Sequence, residues 1–331
     1  MQFRYAIFRA FIATSIVFIY GALLSSCSQE PESSDFHSRL DLKHDSNVQA
    51  FAITPDGRTM ATATSEGLPA HKRVCVATLW NVANGRKRFS FKPKSAVFAV
   101  AFSPDGTLWA CGGGELEIRS SQTGALLYTL KHAALNISGI TFSRDGGKLA
   151  AVQSDGTLEQ WELKTRKRIN GWNVEGSAGG VEDAIAYTPK GDVILTGGDY
   201  DGKLKYWDSK TGALVSSVNA HENAIVGLAV SPDGSKVVTG GWDDKVKVWD
   251  FATRKHLFTL SNNSHAWSVA LSPDGSRVVS AGSDTRIWDI NSGKPLRIVD
   301  ENSYCVSFVG DNQTIAIANS NRVRIGASGL H

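Results

Sequence analysis

Short runs of alternating apolar and polar residues fill this chain from about residue 36 nearly to its end. Alternation with a period of two predicts β-strands that bury one face. The clearest stretch predicts four strands in succession. Residues 224–230 alternate, and Pro232-Asp233-Gly234 then makes a tight turn, with Pro presetting φ and Gly taking φ > 0. Residues 236–239 are the second strand, and Trp242-Asp243-Asp244 turns the chain back. Val246, Val248 and Trp249 lie in the third strand. Ala252-Thr253-Arg254 makes the next turn, and residues 256–260 form an outer strand.

The first of these turns recurs along the chain. It stands at Thr54-Pro55-Asp56-Gly57, Ser103-Pro104-Asp105-Gly106, Ser143-Arg144-Asp145-Gly146 and Thr188-Pro189-Lys190-Gly191. It returns at Ser231-Pro232-Asp233-Gly234 and Ser272-Pro273-Asp274-Gly275, and a worn copy, Val309-Gly310-Asp311-Asn312, closes the series. A period of about 40–45 residues with four short strands per unit predicts an all-β, seven-bladed β-propeller, four antiparallel strands to a blade. One such blade cannot bury both of its faces, so the apolar strand residues are read as inter-blade core, not as a ligand groove. The chain ends soon after the third strand of blade seven, around residues 323–327. Phe36, Leu40 and Leu42 stand ahead of blade one's inner strand, residues 48–53, in the place of an outer strand. Residues 36–43 are therefore expected to complete blade seven and remove two exposed sheet edges.

A second mark keeps step with the first. Trp80, Trp161, Trp207, Trp249 and Trp288 each end a short alternating strand, followed by Asn81, Glu162, Asp208, Asp250 and Asp289. Trp-Asp pairs at this period resemble the WD-repeat family of propellers over roughly residues 36–327. Blade two departs from the pattern with Arg119-Ser120, and blade seven with Arg324 and Ile325 near that place, so looser packing is expected there. The resemblance implies a buried hydrogen-bond network of His221, Thr239, Asp243 and Trp249. A Ser/Thr-His-Asp set also suggests a hydrolase triad, but the Trp partner and the position in the repeat favour the network. Asp155 and Asp201 keep the Asp, each six residues before its Trp, and the full set occurs in blade five alone.

The resemblance also implies that partners dock on the rim gathering the inter-blade loops and the turns between second and third strands. Seven residues before each repeat turn, at the expected channel mouth, stand Asn47, Ala96, Asn136, Val181, Ala224, His265 and Asn302. This ring contains no Asp, Glu, Ser or Cys, which speaks against catalysis at the mouth; an envelope enzyme or a small-ligand or metal binder using the mouth is the alternative reading. Tyr200 and Trp242 occupy neighbouring turns and fit an interface hot spot, or else fold back on their blades. An insertion at residues 65–73 and a Gly-rich loop at 175–180 belong to the same rim.

Residues 1–26 lie outside the repeat. Arg4 and Arg9 precede an uncharged apolar stretch, residues 10–24, as in a secretory signal. Leu24-Ser25-Ser26-Cys27 resembles a bacterial lipobox, which implies a lipid, such as palmitate, on Cys27 as the mature N-terminus. An uncleaved membrane anchor is the other reading. Ser28, in place of Asp, resembles sorting to the outer membrane. Residues 27–35 read as a polar tether and 36–331 as the propeller.

The chain of 331 residues has a formal net charge of +3, and loss of Arg4 and Arg9 with the signal leaves +1. That gives no basis for nucleic-acid binding. Basic turns at residues 85–88, 165–168 and 253–256 share one rim and are read as solvated turns that discourage edge pairing. No phosphate loop, zinc-protease helix or nucleophile elbow occurs, and Gly112-Gly113-Gly114 is a turn. Cys75, Cys111 and Cys305 suit neither zinc nor a redox pair, although a Cys75–Cys111 bridge between blades stays open. The expectation is a monomeric scaffold that binds an unidentified protein or peptide without a cofactor.

Overall fold

In most blades the turn between first and second strands satisfies its own polar groups. The computed structural model describes residues 33–34, 36–66, 74–132, 136–174, 184–198 and 201–329. In blade one the Thr54 hydroxyl donates to the Asp56 carboxylate at 2.6 Å and accepts the Thr59 N–H at 3.0 Å. Asp56 also accepts the Arg58 N–H at 3.0 Å, and Gly57 closes the turn at φ +70°. Ser103, Ser143, Ser231 and Ser272 repeat the arrangement with Asp105, Asp145, Asp233 and Asp274. Blade four has Lys190 in the Asp place, and Thr188 donates to Asp192 instead, at 2.8 Å. Because these bonds lie within a few residues of one another, the turn forms wherever the motif is written.

Between the turns the strands pair into seven sheets. Blade five runs Ile225–Val230, Lys236–Gly241, Lys245–Asp250 and His256–Ser261, all antiparallel. The inner strands touch one another in series and line the axis: Asn47–Ile53, Val97–Phe102, Ile137–Phe142, Ala184–Tyr187, Ile225–Val230, Ser268–Leu271 and Cys305–Phe308. The fold is a seven-bladed, all-β propeller.

Blade seven is built from both ends of the described chain. Its first three strands are Cys305–Phe308, Thr314–Asn319 and Arg322–Ala327, and its outer strand is Ser38–Lys43. Asp41 faces Arg324 and Leu42 faces Val323 in the register. Upstream, Ser33–Ser34 pairs parallel with Ile298 and Val299 and adds a fifth strand to blade six.

The core is divided among the seams. Seven apolar clusters each join two adjacent blades. The ring-closing seam unites Leu42, Val323 and Ile325 with Val48, Met60 and Trp80. Burying a side chain such as Leu42 is worth about 1.5–3 kcal/mol, so closure is driven mainly by this seam. Gly57 and Gly310 meet there so closely that a Cβ on either would lie 3.0 Å from the other's Cα. The repeat turns also tie across the ring, Arg144 donating to the Pro232 carbonyl at 2.6 Å past blade four.

Two expectations about the divergent blades are corrected. The closing register places Gly326, not Arg324 or Ile325, where other blades carry Trp: Gly326 faces Ile315 as Trp249 faces Val237. A side chain at Gly326 would collide with the Phe36 ring and the His37 carbonyl, because the N-terminal strand fills that space. Packing is not loose in either blade. Arg119, in the Trp place of blade two, is buried, lies 3.4 Å from the Phe91 ring centre and bonds Glu117 at 2.7 Å. Ile315, Ile317, Val323 and Ile325 of blade seven are fully buried. Cys75 and Cys111 are buried free thiols with no bridge between them, and burial pushes the Cys111 thiol well up.

Candidate functional site

Two groups of residues stand out, one buried and one on the rim. The buried group is the set in blade five. Trp249 Nε1–H donates to Thr239 Oγ1 at 3.0 Å. Thr239 Oγ1 lies 2.8 Å from His221 Nε2, and His221 Nδ1 lies 2.7 Å from Asp243 Oδ1. Asp243 also accepts the Glu222 N–H at 3.2 Å, which ties the inter-blade loop to the blade. Burial holds the His221 imidazole below its ordinary pKa despite the carboxylate beside it. Burial opposes ionisation of Asp243, yet its bond to His221 keeps it below the usual carboxylate range. Thr239 is fully buried, so no substrate can reach the hydroxyl.

Partial copies of this network occur in blades one and six. In blade one His44 Nε2 lies 3.1 Å from Thr62 Oγ1, which accepts Trp80 Nε1–H at 2.8 Å. In blade six Asn262 replaces His: Ser280 donates to Asn262 Oδ1 at 2.9 Å and accepts Trp288 Nε1–H at 3.3 Å. In each the loop residue precedes its hydroxyl by eighteen positions, as His221 precedes Thr239. That spacing was legible; fixing on the Asp concealed it. Asp155 and Asp201 instead bond the N–H groups of Thr157 and Lys203 in their own turns.

The rim group centres on Trp242. Its ring stacks on His265 at 5.9 Å and meets Trp267 edge-on at 5.8 Å. Trp267 in turn meets Tyr304 at 6.3 Å. The four rings form one aromatic surface across blades five, six and seven. Trp242 and Trp267 are half-buried, His265 is exposed and Tyr304 is 45 % exposed. The supporting loop is pinned at both ends. Asn262 N–H donates to the Asp244 carbonyl at 3.0 Å and Ala266 N–H to the Gly241 carbonyl at 3.0 Å.

Asp244 has φ +63°, in a turn where blades three and four place Gly156 and Gly202. Its carboxylate lies 2.9 Å from His265 Nδ1. A non-glycine residue held left-handed costs of order 1 kcal/mol and points to a local purpose. Here the strained turn aims a carboxylate at the ring that lies on Trp242.

The other rim residues expected from sequence divide. Asn47, Asn136 and Asn302 are exposed at the starts of inner strands, and their side chains bond no other described residue. Ala224 is buried and does not face the mouth. Tyr200, Val181 and the loop at 175–180, like most of the insertion at 65–73, lie outside the described residues, as does Cys27. The described rings that meet Trp242, His265 and Trp267, belong to blade six. Trp267 and Tyr304 were missed, although each stands five residues before its repeat turn. Among the described residues, no group of three or more His, Cys, Asp or Glu side chains is placed to hold a metal.

Seven blades, a self-satisfied turn in most of them and buried Trp–Ser/Thr bonds define a repeat propeller of the WD type. The chain belongs to the WD40 family: the profile of the "WD domain, G-beta repeat" matches residues 85–116, 124–162, 172–208, 212–250 and 254–289. Similar proteins include "Periodic tryptophan protein 2" of Arabidopsis thaliana, 27% identical over 60% of this chain and 22% of that protein. "Cilia- and flagella-associated protein 52" of Sus scrofa is 32% identical over 47% of this chain and 25% of its own length. "Telomerase protein component 1" of Mus musculus is 24% identical over 63% of this chain and 8% of its own. The chain thus spans a quarter or less of the length of these relatives.

Proposed function

We propose that this chain is a non-enzymatic, lipid-anchored WD-repeat scaffold of the bacterial cell envelope, monomeric, which binds a protein or peptide through the rim over blades five to seven. The observation that carries the binding site is the aromatic surface of Trp242, His265, Trp267 and Tyr304, held by a strained turn on a rigid ring. Exposed aromatics on a preorganised support are the residues that dominate interface energies once a partner covers them. The closed state of Thr239 supports a structural role for the His221–Asp243 pair. The anchor rests on sequence: a charged start, an apolar stretch, and Leu24-Ser25-Ser26 directly before Cys27. Ser28 supports the outer membrane, with the propeller facing the periplasm.

The site is tested by capture of partners from detergent-treated membranes, with variants compared at equal folded concentration. Trp242→Ala and Tyr304→Ala should each weaken capture by about 2 kcal/mol, roughly thirtyfold, without lowering the melting temperature. Loss of capture on Lys255→Glu, on the opposite rim, with none on Trp242→Ala would reject the site. The anchor is tested separately by mass spectrometry of the mature protein, which should begin at acylated Cys27. Cys27→Ala should leave the precursor uncut.

A further inference from the structure

We infer that the rim opposite the aromatic surface seats against an anionic lipid surface. That rim carries the repeat turns between first and second strands, whose Asp side chains are nearly matched by Arg58, Arg144, Lys148, Lys190, Lys236 and Arg277, and the turns between third and outer strands. Arg86, Lys164, Lys167, Lys210, Lys255 and Lys294 all lie in or next to these turns, in blades one, three, four, five and six. All six are exposed, and none closes a side-chain hydrogen bond or ion pair among the described residues. The carboxylates of the same turns keep their charge but are fewer than these cations. Asp208, Asp250 and Asp289 accept N–H groups of their own turns, and Glu162 accepts the Thr165 hydroxyl.

Apolar side chains alternate with these cations. Leu126, Leu127, Ile169, Leu214, Val215 and Leu257 are 40–52 % exposed. They include every large aliphatic side chain exposed among the described residues, and each lies in the first three positions of an outer strand, beside this rim. Lys and Arg interspersed with exposed aliphatics suit the boundary between headgroups and acyl chains. Scattered surface leucines need no explanation; their confinement to one belt does.

The path of the chain agrees. Ser33–Ser34 runs parallel to the outer strand of blade six, Pro295–Val299, which leads away from the basic rim. The chain therefore reaches Ser33 from the side of that rim. Ser33 faces Ile298, three positions beyond Pro295, about 10 Å from the rim at ~3.3 Å per residue. The six residues from Cys27 to Ser33 reach at most ~20 Å, enough to clear it. The orientation rests on the lipid anchor proposed above; the affinity of the rim does not. With this rim on the bilayer, Trp242 and Tyr304 face away from it and stay open to a partner.

The test uses the chain from residue 28, which keeps every described strand and has neither signal nor lipid. It should co-sediment with vesicles containing phosphatidylglycerol, release as salt rises, and ignore pure phosphatidylcholine. The triple variant Arg86→Glu, Lys167→Glu, Lys255→Glu should lose roughly a hundredfold in vesicle affinity, from about 1 kcal/mol per basic residue at such a surface. Trp242→Ala should bind vesicles as wild type does. Should the Glu variant not fold, Gln at the same three positions must still weaken binding at least tenfold. Equal sedimentation with phosphatidylcholine, unchanged binding of the folded variant, or preference for RNA over the vesicles would overturn the inference. Mass spectrometry of the native N-terminus reads the anchor independently, so failure of one is not failure of the other.

Discussion

In blade five a neutral His221 lets every hydrogen find an acceptor. Trp249 N–H gives to Thr239, the Thr239 hydroxyl gives to Nε2, and Nδ1–H gives to Asp243. A second proton on the ring would force Thr239 to accept twice and strand its own hydrogen. Burial lowers the pKa of His221, and of His44 in blade one, below the ordinary 6.5. The stability these groups contribute is whole above that value and is lost as pH falls from it through the folded pKa. A second loss follows below 3.8, the ordinary Asp value: Ser231 and its turn hold Asp233 at about 2, and Asp56, Asp105 and Asp145 are lowered in the same way. Melting temperatures should therefore be level above pH 7, decline from about 6.5, and fall again in strong acid. A His44→Gln, His221→Gln double variant should lose the first decline and keep the second. Asp243→Ala should cost about 1–3 kcal/mol, with partner capture changing only as the folded fraction does. Asp244→Gly should behave in the opposite way. Relief of the left-handed backbone should gain up to about 1 kcal/mol in stability, while His265 loses its carboxylate and capture weakens.

The element of most consequence is the strand Ser38–Lys43. It is fixed by ladder bonds, by Leu42 in the seam and by Arg324, which donates to the Phe36 carbonyl and to Glu301, both at 2.8 Å. Removing residues 28–34 takes away only the short fifth strand of blade six and should hardly move the melting temperature. Removing residues 28–43 opens the ring and should lower it sharply; equal melting of the two deletions would contradict closure. Arg324→Ala leaves Glu301 without its cation and should cost about 1–3 kcal/mol in a denaturant titration. This closure was legible because a missing outer strand at one end matched a surplus strand at the other. Gly326 was not legible, because its place follows from the pairing of Thr314–Asn319 with Arg322–Ala327, and no Trp marks it in the sequence. The repeat turns were read without error because their bonds are local. On the rim, the turn position of Trp242 was legible, but Trp267 and Tyr304 sit at inner-strand starts of other blades, a proximity only the closed ring creates.

At the scale of the whole molecule, the antiparallel meander sorts the surface into two unlike rims. One gathers Trp242, His265, Trp267 and Tyr304, the other the unpaired cations and the exposed aliphatics. Both belong to one ring with a core seam between every two blades, so neither rim needs to reorganise when the other is occupied.

The strand that closes the ring is synthesised before all seven inner strands, and its partner, Arg322–Ala327, after the first six blades. Those six blades can each complete their sheets as their own segments emerge, but blade seven joins strands made far apart in time. Until then the faces bearing Met60 and Trp80 on one side and Ala316 and Ala318 on the other stand open to water or to another chain. Long-range pairing of this kind is slow and leaves intermediates prone to aggregation. The overlap therefore works as a proof of completeness. A product cut short before Arg322 would lack one described strand of the ring, yet it could never hide its last seam, and proteases and chaperones would meet it as an unfinished protein.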